Sequence, residues 1–521
     1  MRSLLICSFA FLFTLPVFAE VTLPKFFSDN MVLQRGSEVA VWGGGAEPNE
    51  SVTVTFGGQT KRARANKGGY WMVRLDPMPA SHEGRTLAVN GSVRFENILV
   101  GDVWLCSGQS NMEWTVRGTL NSKEEIAAAN FPSIRHIKIQ RQTDALPQRD
   151  PQQVVGWDVC QPDKVSNFTA VGYYFARAIH QELKVPIGIV NSSWGGTVIQ
   201  PWTAPEGFHM VPELARISAK IKAADPAFET GKEAYLKALE KVDLWRAEAK
   251  EAVARGVRPE AMPEMPLIAS GGRVPTYVYN AMIHPLTPFA IKGAIWYQGE
   301  SNGEESISYY HKMKALILGW RKVWNHQGDL PFYFVQLANF KQSPDTPEGG
   351  DGWAPLRDAQ LKTLELDKTG MVVAIDIGNP KDIHPKNKQD VGKRLALWAL
   401  ADTYSKDVVP SGPLFDRMTT EGNKIRIHFK YAGSGLMVGR KEGLEPTREI
   451  PGGQLKEFAI AGKDKVWHWA DVVIEGDAAV VSSSKVAKPV AVRYAYRMNP
   501  EGANLYNIEG LPASPFRTDN W

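Results

Sequence analysis

Four short polar blocks carry the residue types of acyl transfer. The first, Ser107-Gly108-Gln109-Ser110-Asn111-Met112, follows an apolar run at 103–106 and offers a hydroxyl beside a glycine turn, which makes Ser110 the candidate nucleophile. The second, Asn191-Ser192-Ser193-Trp194-Gly195-Gly196-Thr197, follows an apolar run at 187–190, and its two glycines let backbone amides approach a ligand closely. The third, Gln298-Gly299-Glu300-Ser301-Asn302, follows 294–297 and brings a side-chain amide. The fourth, Gly378-Asn379-Pro380-Lys381-Asp382-Ile383-His384-Pro385, follows 371–377 and supplies an imidazole.

A serine hydroxyl is a weak nucleophile until a base takes its proton, and an imidazole with a pKa near 6.5 is suited to that task. His384 is the candidate base. Pro385 disfavours the helical region for His384, so Asp382 and His384 can project to one side of an extended segment and complete a Ser-His-Asp set. The amides of Ser110 and of Gly195 or Gly196, with the Gln298 side chain, form a candidate oxyanion hole. Losing one such donor typically costs about 3–4 kcal/mol of transition-state stabilisation. Each block alone reads as an ordinary loop; their coincidence at four strand ends carries the argument.

Those strand ends imply the fold. Apolar runs at 98–106, 187–190, 294–297, 332–337 and 371–377, with an amphipathic helix over 170–183, predict an α/β domain whose parallel sheet is covered on both faces. Such sheets bind ligands at the carboxyl ends of their strands, where the four blocks stand. Residues 20–98 alternate short apolar stretches with Gly, Pro and Asn turns, which predicts a small β-sandwich, and the same pattern returns over 411–521. The catalytic domain is expected over 99–410, interrupted at about 212–256 by a charged, alanine-rich helical hairpin with a solvated face or a cleft-rim role.

Composition excludes several classes. The chain has 521 residues, 43% hydrophobic and 22% charged, which rules out a disordered, fibrous or polytopic membrane protein. Sixty basic and 56 acidic side chains leave a scattered formal charge of +4, with no nucleic-acid footprint. Arg2, an apolar run at 4–17 and small residues before Ala19 read as a signal peptide over 1–19, cleaved after Ala19, with a retained anchor as the alternative. No later apolar stretch is long enough to span a bilayer, so a secreted or periplasmic protein without a membrane anchor is expected. Of three cysteines, Cys7 leaves with the leader; Cys106 and Cys160 form either one disulfide or two buried thiols. Neither has zinc-site spacing, and no metal or cofactor is expected. Nothing in the sequence reports oligomeric state.

The four blocks resemble the SGNH hydrolase superfamily, and within it the sialate O-acetylesterase group of secreted carbohydrate esterases. The resemblance rests on 101–114, Ser193-Trp194-Gly195-Gly196-Thr197, Trp296-Tyr297-Gln298-Gly299-Glu300-Ser301-Asn302 and Asp382-Ile383-His384-Pro385. Softer similarity at Trp320-Arg321, Pro331-Phe332-Tyr333 and Leu356-Arg357-Asp358-Ala359-Gln360 extends it from residue 20 to about 405. It implies a three-layer α/β/α core flanked by β-sandwich modules, and metal-independent serine esterase chemistry on acetyl groups of sugar hydroxyls. By the same resemblance Ser110 is the nucleophile and His384 the base. Asp382 stands two residues before the histidine, where many members place the acid three before, so a triad and a Ser-His dyad oriented by a backbone carbonyl both stay open. Gln298 takes the place of the third-block asparagine as side-chain donor.

Second-tier residues have two readings each. Asn302 is a second donor or a loop stabiliser, and Glu300 orients its loop or binds substrate. Arg357 pairs with a sialate carboxylate or makes a structural ion pair, while Trp194, Trp202 and Trp296 form a sugar-stacking wall or pack in the core. His284 reads as structural. The expected partner is an acetylated carbohydrate, either sialic acid or a plant hemicellulose such as xylan or xyloglucan. A non-catalytic carbohydrate-binding protein is the alternative from another class. A phosphoesterase would need metal ligands or a phosphate cradle that the blocks lack, and a lipase an exposed apolar stretch.

Overall fold

One 16-residue strand, Val93–Gly108 (β1), organises the molecule. Its first residues alternate between exposed and half-buried, whereas Ile98 to Gly108 are continuously buried. The first part pairs antiparallel with Ser81–Val89 in an N-terminal sheet, and the second pairs with parallel neighbours on both sides. The change from alternation to continuous burial marks a strand passing from a sheet solvated on one face into one covered on both. The expected boundary between residues 98 and 99 therefore falls inside a continuous strand. The computed structural model of the chain describes residues 21–267, 273–325 and 330–521. The leader expected over 1–19, with Cys7, lies outside the described residues.

The central sheet adds Phe131–Ile139 (β2), Val154–Cys160 (β3), Ile187–Ser193 (β4), Gly293–Tyr297 (β5), Phe332–Val335 (β6) and Thr369–Val372 (β7), in the order β7-β6-β5-β1-β4-β2-β3. All of its neighbours run parallel except β2 and β3, an antiparallel edge pair. Those two strands escape the sequence reading because their apolar residues are interrupted by Arg135, His136, Lys138 and Asp158.

Helices cover both faces. A short helix α1 (Ser110–Glu113) follows β1, and α2 is Ala170–Leu183, as its periodicity predicts. Further on come α3 (Ile307–Val323), α4 (Ala354–Lys362) and α5 (Lys388–Trp398). Trp104 of β1 meets Phe175 of α2 edge-on, while Trp296 of β5 meets Trp320 of α3. Trp296 is in register with Ser107, an odd number of residues from Trp104, so the two tryptophans point to opposite faces. The core is a three-layer α/β/α structure, as the sequence predicts.

Residues 212–254 are largely helical, and in the helix Glu229–Ala254 only Gly231 and Ala238 are buried, so its charged surface is solvated. After residue 411 the described residues form three antiparallel sheets, and two of them meet through Phe516, which stacks on Phe415 with ring centroids 5.1 Å apart. Cys106 and Cys160 are both buried free thiols, which decides between the two readings of that pair.

Gly108 ends β1 with φ +135°, and a Cβ there would lie 2.1 Å from the Tyr297 carbonyl oxygen of β5. Gly108→Ala is therefore expected to strain the strand end by about 1–3 kcal/mol and to displace the residues that follow it. Denaturant unfolding and turnover measured together check this; wild-type values for both would refute the close approach.

Candidate active site

The carboxyl ends of the strands assemble the first and last polar blocks. Ser110 is the first residue of α1, with one residue between it and the tight end of β1. His384 lies in the loop between β7 and α5, and its Nε2 stands 2.9 Å from Ser110 Oγ. The imidazole stacks on the Trp114 ring, with centroids 5.0 Å apart and planes 18° from parallel. Asp382 Oδ1 accepts the His384 backbone N–H at 2.9 Å and stands 3.7 Å from Nδ1, beyond hydrogen-bond reach. The carboxylate thus fixes the backbone of the loop and acts on the ring only through its charge. Burial, and then the Lys388 ammonium, push the His384 pKa below its ordinary value, and Asp382 opposes them.

The second block lies against Ser110. A Cβ on Gly195 would come within 3.2 Å of Ser110 Cβ, so a larger residue would crowd the serine. The Gly195 N–H, expected in the oxyanion hole, instead donates to Glu113 Oε2 at 2.9 Å. Arg141 and Lys138 also bind Glu113, at 2.6 and 3.2 Å. Burial alone would raise the Glu113 pKa; Arg141, the Gly195 N–H and Lys138 outweigh it and hold the carboxyl below its usual range. Among the described residues no hydrogen-bond acceptor is paired with the Ser110 or Gly196 N–H.

Several expected contacts are corrected by burial. Gln298 is fully buried, and its Nε2 donates to the Thr197 carbonyl and to Asn302 Oδ1, which leaves no amide hydrogen for an oxyanion. Asn302 donates to Gln200 and Glu305 and is a loop stabiliser, not a second donor to substrate. Arg357 has no exposed surface and donates to the carbonyls of Leu337, Ala338, Arg497 and Met498; burial lowers its pKa to about 9. It cannot reach a substrate carboxylate, and it makes backbone contacts in place of an ion pair. Trp296 and Trp202 meet edge-on in the core, so neither belongs to a sugar wall. Trp194 is partly exposed beside Gly195. His284 hydrogen-bonds the Gln148 carbonyl, a structural role.

A cleft of about 480 Å³ opens over Ser110 and His384, with Glu113, Trp114, Arg117, Lys138 and Arg141 in its walls. Sequence reasoning assigned no role to these five. Glu113 and Trp114 stand three and four residues after Ser110, a helical spacing that was the available signal. Lys138 and Arg141 carry none, because they stand in and just after β2, whose apolar pattern is interrupted. A groove of about 800 Å³ lined by Glu300, Ile383, Phe340 and Trp353 lies nearby.

Comparison with known proteins identifies this assembly. Residues 100–230 and 268–401 match the family model described as carbohydrate esterase, sialic acid-specific acetylesterase. The sialate O-acetylesterase of Rattus norvegicus is 32% identical over 425 residues, covering 75% of this chain and 75% of its own length. That of Homo sapiens is 29% identical over 451 residues, covering 78% and 76%. A carbohydrate acetylesterase from Xanthomonas citri of known structure is 37% identical, with a TM-score of 0.78 over 96% of this chain and 100% of its own. The chain belongs to the sialic acid-specific acetylesterase family of carbohydrate esterases and is a sialate O-acetylesterase-like enzyme of that class.

Two tests follow from the geometry. Arg357→Met orphans buried carbonyls at about 1–3 kcal/mol each, so a large fall in thermal stability is expected; a stable variant with only a raised KM would restore the substrate-binding role. The His384 imidazole, followed by NMR, should titrate below about 6.5, and lower still in Asp382→Asn, which removes the charge that favours the protonated ring. An unchanged or raised value in that variant would contradict the electrostatic role given to Asp382.

Proposed function

We propose that the protein is an exported serine esterase that removes O-acetyl groups from a carbohydrate through an acetyl-serine intermediate. The observation that carries this reading is the 2.9 Å contact between Ser110 Oγ and His384 Nε2 at an open cleft. As Ser110 Oγ attacks the ester carbonyl carbon, its proton passes to His384 Nε2 and the carbonyl oxygen becomes an oxyanion. The unspent N–H groups of Ser110 and Gly196 are the candidate oxyanion donors. Collapse of the tetrahedral species breaks the bond to the sugar oxygen, which leaves with the proton held by His384. Water then adds to the acetyl-serine and gives its proton to His384. The acetyl–serine bond breaks, acetate departs and the serine oxygen recovers a proton.

The pairing of Asp382 with a backbone N–H favours a Ser-His dyad assisted by a nearby charge over a hydrogen-bonded triad. For the substrate, the sialate named for the relatives is the first reading. Its support is the excess of positive charge in the cleft wall: Arg117, Lys138 and Arg141 face one carboxylate, Glu113, which Lys138 and Arg141 pair, and the balance suits a sugar that carries its own carboxylate. Export rests on the apolar run at 4–17 and Ala19, which fit a leader that is removed.

Acetate release from 9-O-acetylated sialic acid, acetylated xylan and acetylated xyloglucan, with Ser110→Ala in parallel, tests the reading. Serine-dependent release from sialic acid is expected, together with an acetylated Ser110 peptide when turnover is quenched. Release from a plant polysaccharide alone would keep the chemistry and overturn the substrate. Appreciable activity in Ser110→Ala would overturn the nucleophile.

A further inference from the structure

Lys388 is the first residue of α5 and is fully buried. Both facts are costly: an ammonium loses its hydration, and a cation at a helix N-terminus opposes the macrodipole. Burial pushes its pKa down to about 7, with Glu300 and Asp382 opposing the fall. Beyond its charge effect on His384, this side chain makes direct contacts that join the two loops. Its Nζ donates to Oδ1 of Asn111, the residue after the nucleophile. Asn111 Nδ2 in turn donates to Glu300 Oε1 and, at 3.0 Å, to the carbonyl of Ile383, the residue before the base. Among the described residues Glu300 Oε2 is sealed from solvent without a hydrogen-bond partner, and burial raises the pKa of that carboxyl against the pull of its own backbone N–H, Asn111 and Lys388.

The chemistry of this chain of contacts is directional. An ammonium has donors only, so it faces the oxygen of the Asn111 amide; an ionised carboxylate has acceptors only, so it faces the nitrogen. The two charges and the Ile383 carbonyl, itself an acceptor only, therefore agree on which way the amide points. We propose that Lys388, Asn111 and Glu300 form a buried positioning relay that sets the register of Ser110 against His384. The proposal rests on the reading of those two residues as nucleophile and base. With one charge removed, the amide loses one of the partners that hold it and the contact between the two loops is weakened, while the cleft walls stay in place. The effect falls on the alignment of the reacting groups and not on substrate affinity.

The test uses Lys388→Met and the neutral pair Lys388→Met/Glu300→Gln in the full-length protein, with Ser110→Ala alongside. The double variant matters because Lys388→Met alone leaves a buried carboxylate uncompensated and can unfold the chain. For a misalignment of about 1 Å, kcat is expected to fall about 10²-fold with KM little changed, in a double variant whose melting temperature matches or exceeds that of the wild type. A folded double variant with wild-type kcat overturns the relay, and so does failure of both variants to fold, which would make the pair structural. A dead Ser110→Ala beside a full-speed Lys388→Met refutes the relay alone. An active Ser110→Ala refutes the catalytic reading beneath it.

Discussion

The hydrogen bond between His384 Nε2 and Ser110 Oγ joins residues 274 apart in the chain, and it has to be made across the sheet. Ser110 follows the central strand β1, while the histidine loop leaves β7 at the edge, three positions away in the order β7-β6-β5-β1. At about 4.8 Å per strand the loop must come back about 14 Å over the ends of β6 and β5. A segment of that length is mobile unless it is tied down. The ties are visible: Lys341 N–H to the Pro380 carbonyl, Asp382 to the His384 backbone, Asn111 to Ile383, and Leu120 N–H to the Lys386 carbonyl. A buried Arg394–Asp376 pair, with contacts of 2.7 Å, holds the start of the loop to α5. The cost of bringing the His384 loop back from the sheet edge thus accounts for much of the polar structure beneath the cleft.

The flanking β-sheets enter the same account. Asp102 of β1 is buried and accepts bonds from Arg35 and Gln34 on the N-terminal side and from the Tyr404 hydroxyl on the other. At the opposite end Arg357 grips the carbonyls that follow β6 and those of Arg497 and Met498 near the C-terminus. Buried ionic groups add little net stability over an apolar core of equal shape, but removing one partner is severe. They act here as locks between segments distant in sequence. The same burial that makes Arg357 a lock puts it out of reach of any ligand.

How far the sequence could be read follows from what each signal measures. Continuous apolar runs and an amphipathic period report burial, so the parallel strands, α2 and the three-layer core were legible. The proximity of Ser110 and His384 was legible because only a few residue types suit that chemistry and each follows a strand of the parallel sheet on its carboxyl side. Gln298, Arg357 and Trp296 mark the limit, since a side chain at the right strand end points either out to the ligand or down into the core, and residue type does not say which. Gly195 shows the same limit at the backbone, where its N–H was spent on Glu113, a neighbour contributed by a different strand end. Lys388 was invisible for the opposite reason, because a lysine at a helix start reads as exposed until packing shows otherwise.

The environment of His384 resolves a tension in the proposed reaction. A base must be neutral before attack and cationic in the transition state, and each condition alone would favour a different site. Burial and Lys388 disfavour the resting imidazolium, which keeps Nε2 free to accept the serine proton. The cation that then forms lies flat against the Trp114 ring, whose π face attracts positive charge, and 3.7 Å from Asp382. Lys388 acts on both states, so its penalty persists as the proton arrives. The stacked indole and the carboxylate act in favour of the charged ring, and their pull is felt most once the proton has moved. A carboxylate held to the backbone and not to Nδ1 then suffices, because the ring is oriented by its stacking and its charge is met without a direct hydrogen bond.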